Sequence, residues 1–171
     1  MFSRDYVFKE IDGVKIEATV FWKPQSSSAH YGVGMTFPRT LNRLIARLTH
    51  FQALGFHGGA FVIGSRYFLP EAEIEYLADA GFVVVSADYR LCPQVALYDV
   101  IQDAIDSFAW CKRELPGKLK ADAGIEVDGR KIVAFGQSSG GLLALHLVRY
   151  PFSHSLLLPN KSNSLRSGRR F

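Results

Sequence analysis

Two runs of alternating polar and apolar residues stand near the start of the chain, Tyr6–Ile11 and Val14–Trp22, separated by Asp12-Gly13. An Asp-Gly pair between two such runs is typical of a β-hairpin with a tight turn. In the second run, the alternation predicts that one face packs on a core and the other faces water. The predicted inward residues are Ile16, Ala18, Val20 and Trp22, and the predicted outward residues are Lys15, Glu17 and Thr19.

Further along the chain, strand-like and helix-like patterns alternate. Apolar runs at Phe82–Ala87 and Ile132–Phe135 predict strands, and the nearly continuous FVVVSA indicates burial on both faces of a sheet. Segments Pro70–Ala80 and Asp99–Glu114 have helical periodicity. This alternation predicts an α/β fold with a mostly parallel sheet, flanking helices and an N-terminal hairpin.

The second predicted helix has an apolar face and an acidic face. We expect Pro116-Gly117 to end this helix and Val127–Arg130 to turn the chain into the last strand. The residues predicted to face inward are Ile101, Ala104, Ile105 and Phe108, and those predicted to face water are Asp99, Asp103 and Asp106.

The segment between the hairpin and residue 53 has a different character. Gln25–Gly34 has the composition of a loop, and Pro38–Gln52 has the spacing of an amphipathic helix with arginines on its polar face. We favour a surface helix that covers the domain. The alternative is a basic helix that contacts a membrane surface.

Composition excludes several classes of function. The chain has 171 residues, enough for one domain with a core, and its net charge of +4 comes from four basic residues after Phe152. We therefore do not predict nucleic-acid binding. Cys92 and Cys111 form neither a zinc-binding pattern nor a disulfide framework, and we expect no metal and no cofactor. No run is long enough to span a membrane and no secretory leader is recognisable, which favours a cytoplasmic location.

The strongest chemical signal lies between the last predicted strand and the apolar segment Leu142–Val148, where the chain reads Gly136-Gln137-Ser138-Ser139-Gly140. A glycine-flanked serine between a strand and a helix is typical of a nucleophile elbow. An ordinary strand-to-helix turn is the alternative interpretation of this motif taken alone.

Two upstream motifs strengthen the first interpretation. With His57-Gly58-Gly59-Ala60-Phe61 and Asp88-Tyr89-Arg90-Leu91 before the serine motif, the chain resembles the hormone-sensitive-lipase-like carboxylesterase branch of the α/β-hydrolases. The resemblance covers about 6–22 and 55–150. It implies a partial hydrolase domain over 1–150, with an atypical insert at 25–52 and a basic, disordered tail at 151–171.

The resemblance also implies roles for individual residues. Ser138 would be the nucleophile towards short acyl esters, with the amides of Gly58, Gly59 and Ser139 as the oxyanion hole. His57 would hold the loop, and Gly136 and Gly140 would support the elbow. Gln137 stands where the family has Asp, a departure that would weaken hydrogen bonding in the elbow.

A triad acid and base are not identifiable. No Asp or Glu follows Ser138, while His146 falls on the helix behind the elbow and His154 falls in the polar tail. We therefore expect a truncated or misassembled hydrolase, in which 25–49 and 153–171 are foreign to the family. An inactive fragment with a binding or regulatory role is the alternative. An uncovered nucleophile strand would favour self-association through the sheet edge.

Overall fold

The computed structural model describes residues 1–23 and 50–149. The loop predicted at 25–34, most of the basic segment at 38–52, and the tail with His154 lie outside the described residues. The domain bounds and the contact of 38–52 with a membrane surface therefore stay predictions.

The described residues form five strands and four α-helices. The strands are β1 (Phe2–Ile11), β2 (Val14–Trp22), β3 (His50–Phe56), β4 (Val83–Ala87) and β5 (Val127–Gly136). The helices are α1 (Glu71–Asp79), α2 (Leu97–Arg113), α3 (Leu115–Ala123) and α4 (Ser139–Arg149), with a short 3-10 helix at Arg66–Phe68.

The strands form one sheet in the order β1-β2-β4-β3-β5. β3 pairs in parallel with β4 and with β5, whereas β2 pairs antiparallel with β1 and with β4. Asp12 and Gly13 both have positive φ, at 50° and 79°, as a tight hairpin turn with the twist of the strands requires. The predicted α/β fold and hairpin are confirmed, and β5, which leads to Ser138, is the last strand of the described sheet.

Helices cover both faces of this sheet. One apolar cluster joins Val83, Val85 and Ala87 of β4 to α2, α3 and α4. A smaller cluster joins Val84, between them, to Ala53 and to Ile74 and Ala78 of α1. β4 is buried along its whole length because alternate side chains enter two different clusters.

The segment before His57 differs from the prediction. We expected loop and basic helix in place of a strand before His57, but β3 occupies this position and pairs on both sides. Gln52, the predicted end of the basic helix, is fully buried in β3, and its side-chain amide donates to the carbonyl oxygens of Cys111 and Asp128 at 3.1 and 3.3 Å. Because these carbonyl oxygens accept hydrogen bonds from its amide, the polar side chain of Gln52 can be buried.

The residues around Pro116 and Val127 also differ. As predicted, α2 ends just before Pro116, at Arg113, but a new helix begins at once, because Pro116 lies in the first turn of α3, where its missing N–H removes no helical hydrogen bond. Gly124, in a left-handed conformation, ends α3. The predicted turn at Val127–Arg130 is the first part of β5, and Val127 is buried.

Two polar residues predicted to face water are buried. The Thr19 hydroxyl donates to Asp5 at 2.6 Å and accepts from Arg66, since the outer face of β2 is covered by the 3-10 helix. Asp103 has no exposed surface and pairs with Lys9 and Arg90. Amphipathic spacing alone could not reveal these partners.

Candidate active site

Ser138 lies at a sharp junction between β5 and α4. Its side chain is exposed and its φ is +51°, a left-handed value that is uncommon for a residue other than glycine. The Gln137 amide donates to the Phe56 carbonyl at 3.3 Å, and the Gly140 amide donates to the Gln137 carbonyl at 2.8 Å. This is the strained strand-to-helix geometry that the sequence motif predicts.

Gly136 and Gly140 permit the close approach of strand and helix at this junction. A Cβ atom on Gly136 would stand 2.5 Å from the Gly140 carbonyl carbon, and one on Gly140 would stand 2.5 Å from the His57 carbonyl oxygen. Backbone atoms cannot withdraw as a flexible side chain can. Any larger residue at either position would therefore push β3, β5 and α4 apart.

The Gly58-Gly59 loop leaves the end of β3 beside the elbow. A Cβ atom built on Gly58 would lie 3.5 Å from the Cβ atom of Ser138. Gly59 has φ of +121°, and its carbonyl accepts from the amides of Val62 and Ile63 at 2.9 and 3.1 Å. The fold thus brings the predicted oxyanion residues next to the predicted nucleophile.

His57 is buried underneath this loop. Its Nδ1 lies 2.7 Å from the Gly58 carbonyl oxygen, and its ring stacks on Tyr89 with the centroids 4.2 Å apart. The Tyr89 hydroxyl donates to the His57 carbonyl at 2.8 Å. Burial lowers the pKa of His57, although the Gly58 carbonyl and the charge of Asp88 oppose this shift. A buried ring with these contacts holds the loop and is not placed to take a proton from Ser138.

The residues on either side of Tyr89 are each held by an ion pair. Asp88 accepts from the backbone amide of Arg66 at 2.6 Å and pairs with its guanidinium. Arg90 forms a fork with Asp103, from Nε to Oδ2 at 2.8 Å and from Nη2 to Oδ1 at 3.0 Å. These pairs fix the segment after β4 on both sides of the tyrosine.

The remaining predicted site residues occupy different positions. Ser139 is buried at the start of α4, and Gln137 is exposed and donates to Glu73 at 3.3 Å. His146 is partly buried on α4, seven residues after Ser139, which corresponds to about 10 Å along the helix axis. The structure therefore brings together the nucleophile and the glycine loop but not His146.

A hollow of about 570 Å³ opens beside Ser138. Its walls come from the end of β5 and from α4, and they are mostly apolar, including Phe135, Leu142 and Leu145. A second hollow, of about 660 Å³, lies near Tyr89 and is bordered by the hairpin turn and the segment after β4. Ser138 lies at the border of the first hollow.

Two kinds of feature are missing from the described ranges 1–23 and 50–149. There, no group of three or more potential metal ligands comes together, and no helix is long and apolar enough to cross a membrane.

Sequence reasoning did not assign roles to Tyr89, Asp103 or Arg66. Tyr89 belongs to the Asp88-Tyr89-Arg90-Leu91 motif, and its position directly after a nearly continuous apolar strand was the signal that it is buried. Asp103 and Arg66 carried no signal, because each acts through a partner more than 10 residues away in the chain.

The chain matches one protein family and several known proteins. The α/β hydrolase fold family matches residues 53–159. The chain is 40% identical over 108 residues to the non-reducing polyketide synthase ausA of Aspergillus calidoustus, a match that covers 63% of this chain and 4% of the synthase. It is 38% identical over 135 residues to the synthase mapC' of Penicillium brevicompactum, covering 78% of this chain and 6% of that protein.

Solved esterase structures have the same fold. The butyrate-bound esterase Est2 of Thermogutta terrifontis superposes with a TM-score of 0.59 and 26% identity, covering 83% of this chain and 42% of the esterase. The same esterase phosphorylated by paraoxon gives a TM-score of 0.58 and 26% identity, covering 83% and 45%. The chain thus spans less than half of these esterases and a small part of the synthases. From the family match and the shared sheet, the chain belongs to the α/β hydrolase fold family.

Proposed function

We propose that this chain carries the nucleophile and oxyanion hole of a carboxylic ester hydrolase. The observation that carries the proposal is the exposed Ser138, held at positive φ at a strand-to-helix junction beside the Gly58-Gly59 loop. Backbone strain of this kind clusters at functional sites. Esterase relatives with bound butyrate and propionate favour short acyl groups as substrates.

In this proposal, the Ser138 Oγ attacks the ester carbonyl carbon, and the carbonyl oxygen becomes an oxyanion. The amides of Gly58, Gly59 and Ser139 stabilise that charge. The C–O bond to the alcohol then breaks, the alcohol leaves with a proton, and an acyl-enzyme remains on Ser138. Water hydrolyses the acyl-enzyme and releases the acid.

The proton of Ser138 needs an acceptor. His57 is held by Gly58 and Tyr89, and His146 is about 10 Å along α4 from the elbow. The proposal therefore assigns the base to neither of them. Candidates for the base include His30 and His154, both outside the described residues, and a histidine of another chain.

Ser138→Ala tests the proposal. We expect purified wild-type chain to hydrolyse p-nitrophenyl butyrate and Ser138→Ala to reduce the rate to background. Paraoxon gives a second test that needs only the first step, in which Ser138 Oγ bonds to phosphorus and p-nitrophenolate leaves. Mass spectrometry should then show that the protein has gained one diethylphosphoryl group. Equal rates for the two proteins, with no adduct on either, would refute the proposal.

The second candidate is a catalytically inactive chain with a binding or regulatory role. In its favour, His57 is held by Gly58 and Tyr89 and His146 lies about 10 Å along α4 from the elbow, so neither is placed to take the proton of Ser138. The two candidates differ in a direct way, because an inactive chain would retain ester binding in the hollow beside Ser138 without releasing p-nitrophenol.

The identity to polyketide synthases gives a reason to test a thioester beside the oxygen ester. Both substrates present the same carbonyl carbon to Ser138, and they differ only in the leaving group. A butyryl thioester with the same acyl group as the p-nitrophenyl ester would separate leaving-group preference from acyl preference. As for domain organisation, we propose that 1–150 forms a partial hydrolase domain with an atypical insert at 25–52, and that 151–171 is a basic, disordered tail.

A further inference from the structure

We propose that Tyr89 is a positioning residue that aims the amides of Gly58 and Gly59 at the oxyanion, an inference that rests on the function proposed above. Tyr89 acts on these amides through the carbonyl groups of the same peptide units. Its hydroxyl donates to the His57 carbonyl and lies 3.2 Å from His57 Nδ1, and its ring stacks on the His57 ring.

The first peptide plane joins His57 to Gly58. A trans peptide is planar, and its C=O and N–H groups point in opposite directions. The Tyr89 hydroxyl donates to the His57 carbonyl at 2.8 Å. Because the carbonyl is fixed by this bond, the Gly58 N–H on the other end of the same plane is directed away from Tyr89.

The second peptide plane joins Gly58 to Gly59, and His57 holds it. The Gly58 carbonyl can only accept, so His57 Nδ1, at 2.7 Å, must carry the proton. His57 Nε2 is then unprotonated, and it has no hydrogen-bond partner in the part of the chain that the structure describes. With the Gly58 carbonyl fixed, the Gly59 N–H is directed to the opposite side.

The His57 ring can hold the second plane only if its own orientation is fixed. Tyr89 lies parallel to it, with an interplanar angle of 10° and a centroid distance of 4.2 Å. Both side chains are buried, at 4% and 1% exposure, so water does not compete for these contacts. Tyr89 therefore acts on the first plane directly and on the second through His57.

Gly64 lies against the edge of the His57 ring that carries Nδ1. A Cβ atom on Gly64 would collide with the His57 ring, and Gly64 has φ of +121°. The ring is thus confined between Tyr89 and the loop backbone. Burial raises the pKa of Tyr89, although the Ser139 hydroxyl opposes this shift, so the Tyr89 hydroxyl remains a donor throughout the neutral range.

The test compares Tyr89→Phe with Tyr76→Phe. The first substitution removes the hydroxyl and keeps the stacking ring. The second makes the same chemical change at an exposed position on α1, which packs in the other apolar cluster. Both are measured in the full chain, labelled with [15N]glycine so that the 15 glycine amides can be followed individually.

We expect Tyr89→Phe to shift the Gly58 amide resonance most, and to lower kcat for p-nitrophenyl butyrate by about 10- to 100-fold with KM changed less than about twofold. A donor that acts only on the oxyanion affects kcat, whereas general loosening would raise KM as well. Tyr76→Phe should leave both readouts unchanged. An unmoved Gly58 resonance, or an unchanged kcat in a chain with serine-dependent turnover, would overturn the inference.

The two readouts separate the inference from the proposed function. If wild-type chain shows no turnover that depends on Ser138, the proposed function fails, and the amide resonances still decide whether Tyr89 orients the loop. If the Tyr89→Phe protein does not fold, a protein with 4-aminophenylalanine at position 89 is measured instead. This residue keeps a weaker donor at the same place, so the Gly58 resonance must move, and a resonance that stays in place refutes the inference.

Discussion

The Arg90 guanidinium and the buried Asp103 carboxylate form a bidentate ion pair. Nε and Nη2 of the arginine contact both carboxylate oxygens, and the backbone amide of Arg90 adds a third bond at 3.0 Å. Lys9 of β1 reaches the same carboxylate at 2.6 Å. One buried carboxylate therefore joins the hairpin, the segment after β4 and helix α2.

Asp103→Ala is expected to lower the free energy of unfolding by about 3–5 kcal/mol, because it leaves Arg90 and Lys9 without their partner in a largely buried place. Urea unfolding followed by circular dichroism measures this. Asp106→Ala is the matched control: Asp106 also pairs with Lys9 at 2.6 Å but is 34% exposed, and we expect a loss below about 1 kcal/mol. Equal losses in the two variants would contradict the buried-fork interpretation.

Gly140→Ala is expected to destabilise the protein by about 1–3 kcal/mol, since its methyl group would collide with the backbone of Phe56 and His57. Gly117→Ala, on the exposed side of α3 with open space around it, should instead stabilise by about 0.5–1 kcal/mol through helix propensity. Thermal melts of the two variants provide the comparison. A Gly140→Ala protein as stable as wild type would show that β3 and α4 can separate freely.

The stability of the protein should depend on pH through His57. Burial lowers the pKa of His57 in the folded state, so the unfolded chain, with a His pKa of about 6.5, takes up a proton that the folded state does not. The contribution of His57 is therefore complete above about pH 7.5 and decreases as the pH falls through about 6.5. Tyr89 and Asp88 are the titratable groups that face this ring.

Unfolding by urea at several values of pH checks this, with His57→Gln as the comparison. The stability difference between wild type and His57→Gln should be larger at pH 7.5 than at pH 5.5. Histidines elsewhere contribute equally to both proteins and cancel. A difference that is constant across this range would mean that His57 has an ordinary pKa in the folded state.

Self-association is the expected consequence of the apolar surface beside β5. Leu142 and Leu145 are 57% and 69% exposed on α4, and both border the hollow between α4 and the end of β5, the last described strand. Replacing both leucines by Gln should reduce association in sedimentation velocity experiments. Tyr76→Gln, which removes an equally exposed apolar side chain from α1, should leave association unchanged. Identical sedimentation of wild type and the double variant would argue against this surface.

The elements that the sequence predicted well are those with local signals. The hairpin has its Asp-Gly turn, β4 has its nearly continuous apolar run, and the elbow has its two glycines. Asp103 was predicted on the wrong face, because its periodicity is that of a surface position and its partners come from β1 and the segment after β4. Such pairs are fixed by tertiary packing, which a single sequence does not reveal.

The same distinction applies to the candidate site. Ser138 and the Gly58-Gly59 loop could be proposed because motif and spacing are local. The contact of Tyr89 with His57 joins residues 32 positions apart and depends on how β3 and β4 pair. Strand β3 was missed for a related reason, since Gln52 at its start is polar and finds its acceptors in α2 and β5.

The φ of +51° at Ser138 lowers the stability of the fold at the residue proposed as the nucleophile. Glycine tolerates this conformation, whereas a residue with a Cβ atom is strained in it by about 1–2 kcal/mol. Ser138→Gly should therefore raise the melting temperature, while Ser138→Ala, which loses the same hydroxyl but keeps the Cβ atom, should not. Selection for stability alone would favour glycine at this position, so the serine marks a place where the fold accepts a loss of stability in order to expose a hydroxyl group.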